Sequence, residues 1–177
     1  GGHVAIDVIR FNDETGKETA FDFTSGEQGL QISALTSSGP TGIVTGALGV
    51  VSDEQGWTVN VDATMEAREG ETDIAPKFGG ADWLWRTGRA KLTGWGDTAG
   101  TLLNSLQGDV ALSGHYRNKN PIPVAIEARL DNRPGDFALD NLAIKLGELQ
   151  INGTALLSGK DRRKLTMDLK GSHMDLG

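Results

Sequence analysis

The side chains that could carry chemistry are few and scattered. Histidine stands only at His3, His115 and His173, without the clustered spacing by which zinc ligands share one element. Asp131, Asp136 and Asp140 lie in D-N-R-P-G-D-F-A-L-D, which suggests calcium at first sight. That spacing departs from an EF-hand loop and lacks its closing bidentate Glu, so these read as solvated turn carboxylates. There is no cysteine, which excludes thiolate nucleophiles, thiolate metal sites and disulfides. No G-x-S-x-G elbow, phosphate loop or dinucleotide fingerprint is present, and a glycosidase pair of carboxylates would have to be assembled by the fold. A non-enzyme without metal or cofactor is therefore expected.

Charge and aromatic residues narrow the binding classes. The net charge of -7 argues against nucleic acid, whose phosphates need a basic stripe. The one basic cluster, Lys160, Arg162, Arg163 and Lys164, reads as a turn tip between strands. Trp83 and Trp85 are two apart and so share a strand face, where exposed indoles could form a platform for sugar rings. Core packing is the competing reading, with Arg86 and Arg89 stacked on the rings.

The elements that must position these residues are strands. Period-two alternation dominates: Val4, Ile6 and Val8 lead the first run, with Ile9 and Phe11 out of phase and suggesting a bulge or strand end. Phe21 and Phe23 follow, then Leu30, Ile32 and Ala34, separated by turn-rich N-D-E-T-G and S-G-E-Q-G. A loosely repeated hairpin starts at Gly46, at Gly108 and at Gly153, with unequal spacing that rules out a strict solenoid. Residues 68–82 show neither period and read as a loop. One segment changes period: Asp97 can cap a helix carrying Ala99, Leu102, Leu103 and Leu106 on one face, with Gly108 as its stop, giving a helix over about residues 97–107.

The predicted fold is thus a mostly β domain over residues 1–177: a curved antiparallel sheet, or a sandwich-like meander of hairpins, with one short helix. One face would carry Val59, Val61, Val110, Leu112, Val124, Ile126, Leu142, Ile144, Leu165, Met167 and Leu169. A second layer must cover that face or it stays a groove, and the alternation is the same in both cases. A groove could hold acyl chains without any covalent step. Exposed terminal strands could also pair between copies. No run approaches the roughly 18 apolar residues of a membrane span. The chain opens Gly1, Gly2, His3 directly into an alternating run, as a fragment or processed product would. The run Gly171, Ser172, His173, Met174 matches a common expression scar but continues an alternating pattern.

The stretch R-A-K-L-T-G-W-G-D-T-A-G-T-L-L-N-S-L-Q-G-D-V-A-L, from Arg89 to Leu112, resembles the C-terminal region of AsmA-like (AsmA/TamB-type) bacterial envelope proteins. Gly96, Thr98, Leu102, Leu103, Leu106 and Gly108 carry the match, extended by L-D-N-L-A-I-K-L-G, L-Q-I-N-G-T-A and H-M-D-L up to residue 176. The resemblance implies a periplasmic β-rich body with an apolar trough, an inner-membrane anchor outside this chain, phospholipid as partner, and a role in outer-membrane homeostasis. A carbohydrate-binding or adhesion sandwich using Trp83 and Trp85 is the alternative.

Overall fold

The computed structural model describes residues 1–11, 14–27, 29–38, 42–54, 56–67, 83–132, 136–158 and 164–172. Alternation becomes eleven strands: β1 (Gly2–Phe11), β2 (Glu14–Gly26), β3 (Gly29–Ser38), β4 (Gly42–Asp53), β5 (Gly56–Ala67), β6 (Trp83–Gly96), β7 (Gln107–Tyr116), β8 (Ile122–Asp131), β9 (Asp136–Leu146), β10 (Leu149–Ser158) and β11 (Lys164–Gly171). Each pairs antiparallel with its neighbours in sequence, in one open sheet ordered β1 to β11. The sandwich-like arrangement is therefore not adopted: the strands form a single layer. The three repeated units are the hairpins β4-β5, β7-β8 and β10-β11. Between β9 and β10 a two-residue turn uses Gly147 at φ 60°, a conformation that favours glycine.

Bulges break the alternation at four points. Register shifts fall between Lys17 and Ala20, Ile32 and Leu35, Trp85 and Thr87, and Glu127 and Arg129. On the bulged strands the same-face residues step by three, from Ile32 to Leu35, Trp85 to Gly88 and Leu139 to Leu142, so the extra residue keeps large apolar side chains on one side. Ala34 and Asn141 take positive φ at two of these points, at 49° and 50°. The expected in-phase run Leu30, Ile32, Ala34 is thereby corrected: Ala34 is the bulge residue and Leu35 takes the apolar side. Of the bulge or strand end expected at Ile9 and Phe11, the structure has the end: β1 keeps register with β2 and stops at Phe11.

The helix α1 (Ala99–Asn104) is shorter than expected. Thr98, not Asp97, is its N-cap: Thr98 Oγ1 accepts from Thr101 N at 3.2 Å and Thr101 Oγ1 accepts from Thr98 N at 2.9 Å, a reciprocal capping box. Asp97 instead accepts from the Thr101 hydroxyl at 2.9 Å. Ser105 ends the helix, its N–H donating to Leu102 O at 3.2 Å. Leu106 lies beyond the helix, and Gly108 belongs to β7 with φ 133°.

The best-packed region is small. Trp85 and Val124, 6% and 3% exposed, anchor a cluster with Met65, Trp83, Leu112, Tyr116, Ile126 and Leu146. Gly114 lies between them on β7, and a Cβ there would strike the backbone of Leu84, so the glycine permits the close strand approach beneath the indole. Residues 68–82, Lys160, Arg162, Arg163, His173 and Met174 lie outside the described residues; Lys164 opens β11.

Candidate functional site

Directly opposed residues of neighbouring antiparallel strands share a face, so the register sorts the two sides of the sheet. One row runs through Gly2, Phe23, Ile32, Leu48, Val61, Leu92, Gly108, Leu130, Leu139, Ala155 and Met167, crossing every strand. It contains no polar side chain. A parallel row runs Val44, Met65, Gly88, Leu112, Ile126, Ile144, Ile151 and Gly171. Between them lie Gly46, Ala63, Ala90, Val110 and Ala128, a shallower strip of small residues.

All eleven residues expected on the apolar face stand on this side: Val59 and Val61 on β5, Val110 and Leu112 on β7, Val124 and Ile126 on β8, Leu142 and Ile144 on β9, and Leu165, Met167 and Leu169 on β11. Met65, Leu92, Leu130 and Leu139 belong with them, each continuing the alternation of its own strand. Coverage is uneven. Leu130 and Leu142 are both 8% exposed, whereas Val8 is 49%, Phe137 43%, Leu165 58% and Met167 56% exposed.

Only α1 packs onto this side among the described helices and strands, and it covers one end. It touches β6 and β5 above Gly94 and Gly96, which share the face of Leu92. A Cβ at Gly94 would lie 3.0 Å from Leu102 O, and one at Gly96 would lie 2.7 Å from Leu102 N. Ser105, 4% exposed, fastens the turn to β6: its Oγ accepts from Trp95 N at 2.7 Å and lies 2.6 Å from Trp95 O as donor. At the opposite strand ends stand Trp83, Trp85 and Tyr116. The Trp83 and Trp85 rings stack at 6.1 Å, and Tyr116 meets Trp83 edge-on at 5.3 Å.

The indoles therefore do not form an exposed pair, since Trp85 is buried in the cluster. The exposed tryptophans are Trp57 and Trp95, and they lie on opposite faces because Trp57 opposes Gly96 while Trp95 opposes Thr58. Arg89 points to the polar side, away from those rings, and Arg86 occupies the bulge beside Trp85 with a buried, unbonded Nε.

The other face is polar and cross-linked laterally. Asp62, Lys91, Asp109, Arg129 and Asp140 follow one another in register, an alternation of charge across β5 to β9. Hydroxyl pairs extend it: Thr45 with Thr64 at 2.6 Å and Thr87 with Ser113 at 2.7 Å, while Thr93 donates to Asn60 at 2.7 Å. The depression lined by Arg89, Lys91, Asp109, Glu127 and Arg129 is open to solvent. Among the described residues no three His, Asp or Glu side chains converge to hold a metal ion. Asp131 and Asp136 stand at the end of β8 and the start of β9, and His3 Nδ1 contacts Asp22 Oδ1 at 2.7 Å. No family model, curated protein or solved structure matches the chain.

Proposed function

We propose that this chain is a non-enzymatic, periplasmic β-rich segment of an AsmA-like envelope protein, which holds or conducts phospholipid acyl chains along its apolar sheet face. The observation that carries the reading is the row of apolar residues and glycines crossing every strand, with only α1, among the described helices and strands, laid over one end. Water-exposed apolar patches of more than a few hundred Å² are uncommon on self-sufficient surfaces and mark binding faces. Eleven strands at about 4.8 Å spacing make a face about 48 Å long. An acyl chain spans about 15 Å, half of the roughly 30 Å hydrocarbon core of a bilayer. Several chains fit along the face, and non-directional burial lets them slide while headgroups stay in water.

The resemblance of Arg89 to Leu112 to AsmA-like proteins supports the same reading, and implies a membrane anchor outside this chain. A glycan platform on Trp83 and Trp85 finds less support, because Trp85 is 6% exposed and the two rings pack on each other. The test is native mass spectrometry of the purified chain, with transfer of fluorescent phospholipid between vesicles as the second readout. Bound phospholipid is expected. Leu165→Asp and Met167→Asp place a carboxylate at exposed positions of the face and are expected to abolish capture while circular dichroism stays unchanged. Undiminished lipid loading in the folded variants, or repeated absence of lipid alongside glycan-array binding, overturns the proposal.

A further inference from the structure

We propose that the sheet meets an anionic lipid bilayer with the strand ends opposite α1, where Trp83, Tyr116, Lys119 and Lys145 stand. The contact goes beyond acyl holding and needs no lipid on the apolar face. A division of charge between the two strand ends carries it. In the turns and at the strand tips of the α1 end, from β2 to β9, the charged residues described are carboxylates: Glu27, Glu54, Asp97, Asp131 and Asp136. At the opposite end the turns joining β7 to β8 and β9 to β10 adjoin, Gly147 N donating to Pro123 O at 2.8 Å. They carry Arg117, Lys119 and Glu148, and Lys145 stands one residue before the end of β9. Arg117 is engaged within the chain, whereas Lys119 and Lys145 are exposed and enter no ion pair among the described residues. A chain of net charge -7 is repelled as a whole by an anionic surface, so it approaches one with this end foremost.

Aromatic residues mark the same end. Trp83 and Tyr116, both half-buried, meet edge-on at 5.3 Å beside Ile122. Indole and phenol rings flanked by lysines suit the headgroup layer of a membrane, where ring bodies rest on acyl carbons, polar tips stay wet and cations gain attraction. An acidic protein would meet the same lysines, but the apolar side favours the bilayer. From Tyr116, Ile122 and Leu146 it continues through Gly114 and Leu112 on β7, Val124 and Ile126 on β8, and Ile144 on β9, with no polar residue between. An acyl chain leaving the bilayer here passes straight onto the face, which α1 covers at the far end. The more exposed indoles, Trp57 and Trp95, lie at the acidic end.

Flotation with vesicles of phosphatidylcholine and phosphatidylglycerol in equal parts tests the contact. The chain is expected to float with them and to stay behind with phosphatidylcholine alone. Lys119→Glu and Lys145→Glu together are expected to weaken binding about twentyfold or more, since one cation near such a surface is worth about fivefold. Glu54→Lys is expected to change binding less than about twofold, because a strand length of about 30 Å exceeds the Debye length of about 10 Å. Vesicles brominated in their acyl chains are expected to quench the Trp57→Phe/Trp95→Phe variant, whose remaining indoles are Trp83 and Trp85.

Equal flotation with phosphatidylcholine alone, unchanged flotation of the lysine variant, an effect of Glu54→Lys as large as theirs, or loss of quenching in the phenylalanine variant overturns the proposal. Failure to float with any vesicle overturns it too, and retention on an immobilised acidic polypeptide would then assign the end to a protein partner. Native mass spectrometry keeps this contact apart from acyl holding. The lysine variant is expected to carry phospholipid as the wild type does, and a wild type that floats but never carries lipid overturns acyl holding and not the contact.

Discussion

Gly96→Ala tests whether α1 is seated on the sheet by the glycines beneath it. The new methyl would strike Thr101 Oγ1 and stand 2.7 Å from both Leu102 N and Thr101 Cβ, distances no Cβ adopts against backbone. Either the helix lifts or β6 bends. Overpacking of this kind costs about 1–3 kcal/mol, and the backbone clash argues for roughly 2 kcal/mol or more. Lifting would also break the Ser105 bridges to Trp95 N and O, each net worth about 1 kcal/mol. For a chain of this size a loss of about 2 kcal/mol lowers Tm by about 4–8 °C. Gly94→Ala is the graded control: its methyl meets Leu102 O and Leu106 Cδ2 at 3.0 Å, contacts that a shift of a few tenths of an ångström relieves. It is expected to cost less than about 1 kcal/mol, because replacing glycine also lowers the entropy of the unfolded chain. Thermal melts and hydrogen exchange at the Trp95 and Ser105 amides read the two effects together. If Gly96→Ala melts at or above wild type, with exchange at Trp95 unchanged, the seating argument fails.

Trp85→Ala removes the centre of the best-packed cluster and is expected to cost about 3–5 kcal/mol, measured as a lower urea midpoint. A cost under 1 kcal/mol would mean the cluster is not a core. Lys91→Glu puts an acid between Asp62 and Asp109 in the charge row, and is expected to cost up to about 1 kcal/mol at each contact in low salt. Raising the ionic strength should recover most of that loss, since exposed charges are screened; a penalty independent of salt would show that the row acts through packing.

Much of the apolar face was legible because a strand's side-chain period is two and therefore local. Leu112 to Val110 and Ile126 to Val124 each reveal a face without reference to any other strand. The bulges were written in the sequence as well, as three-residue steps such as Leu139 to Leu142, but they resemble lapses of pattern until a partner strand shows which residue is extra. The helix was overextended because Leu106 fits a helical face; its end is decided by Ser105 and Trp95, ten residues apart, and only the docked turn brings them together. Trp83 and Trp85 share a face as their spacing required, yet spacing does not say whether a shared face is open or packed.

The sequence by itself determined that alternating segments dominate, which residues share a side within most of them, and the absence of any motif for catalysis, since each follows from residue type and short-range period. Tertiary structure alone decided that these strands lie in one layer in chain order, that an apolar row runs unbroken from Gly2 to Met167, and that α1 sits on the apolar side at one end. The physical reason is that a hydrophobic face demands burial without naming what buries it. A facing sheet, a bound lipid and a docked helix satisfy the same alternation, and the single layer of strands sets aside only the first.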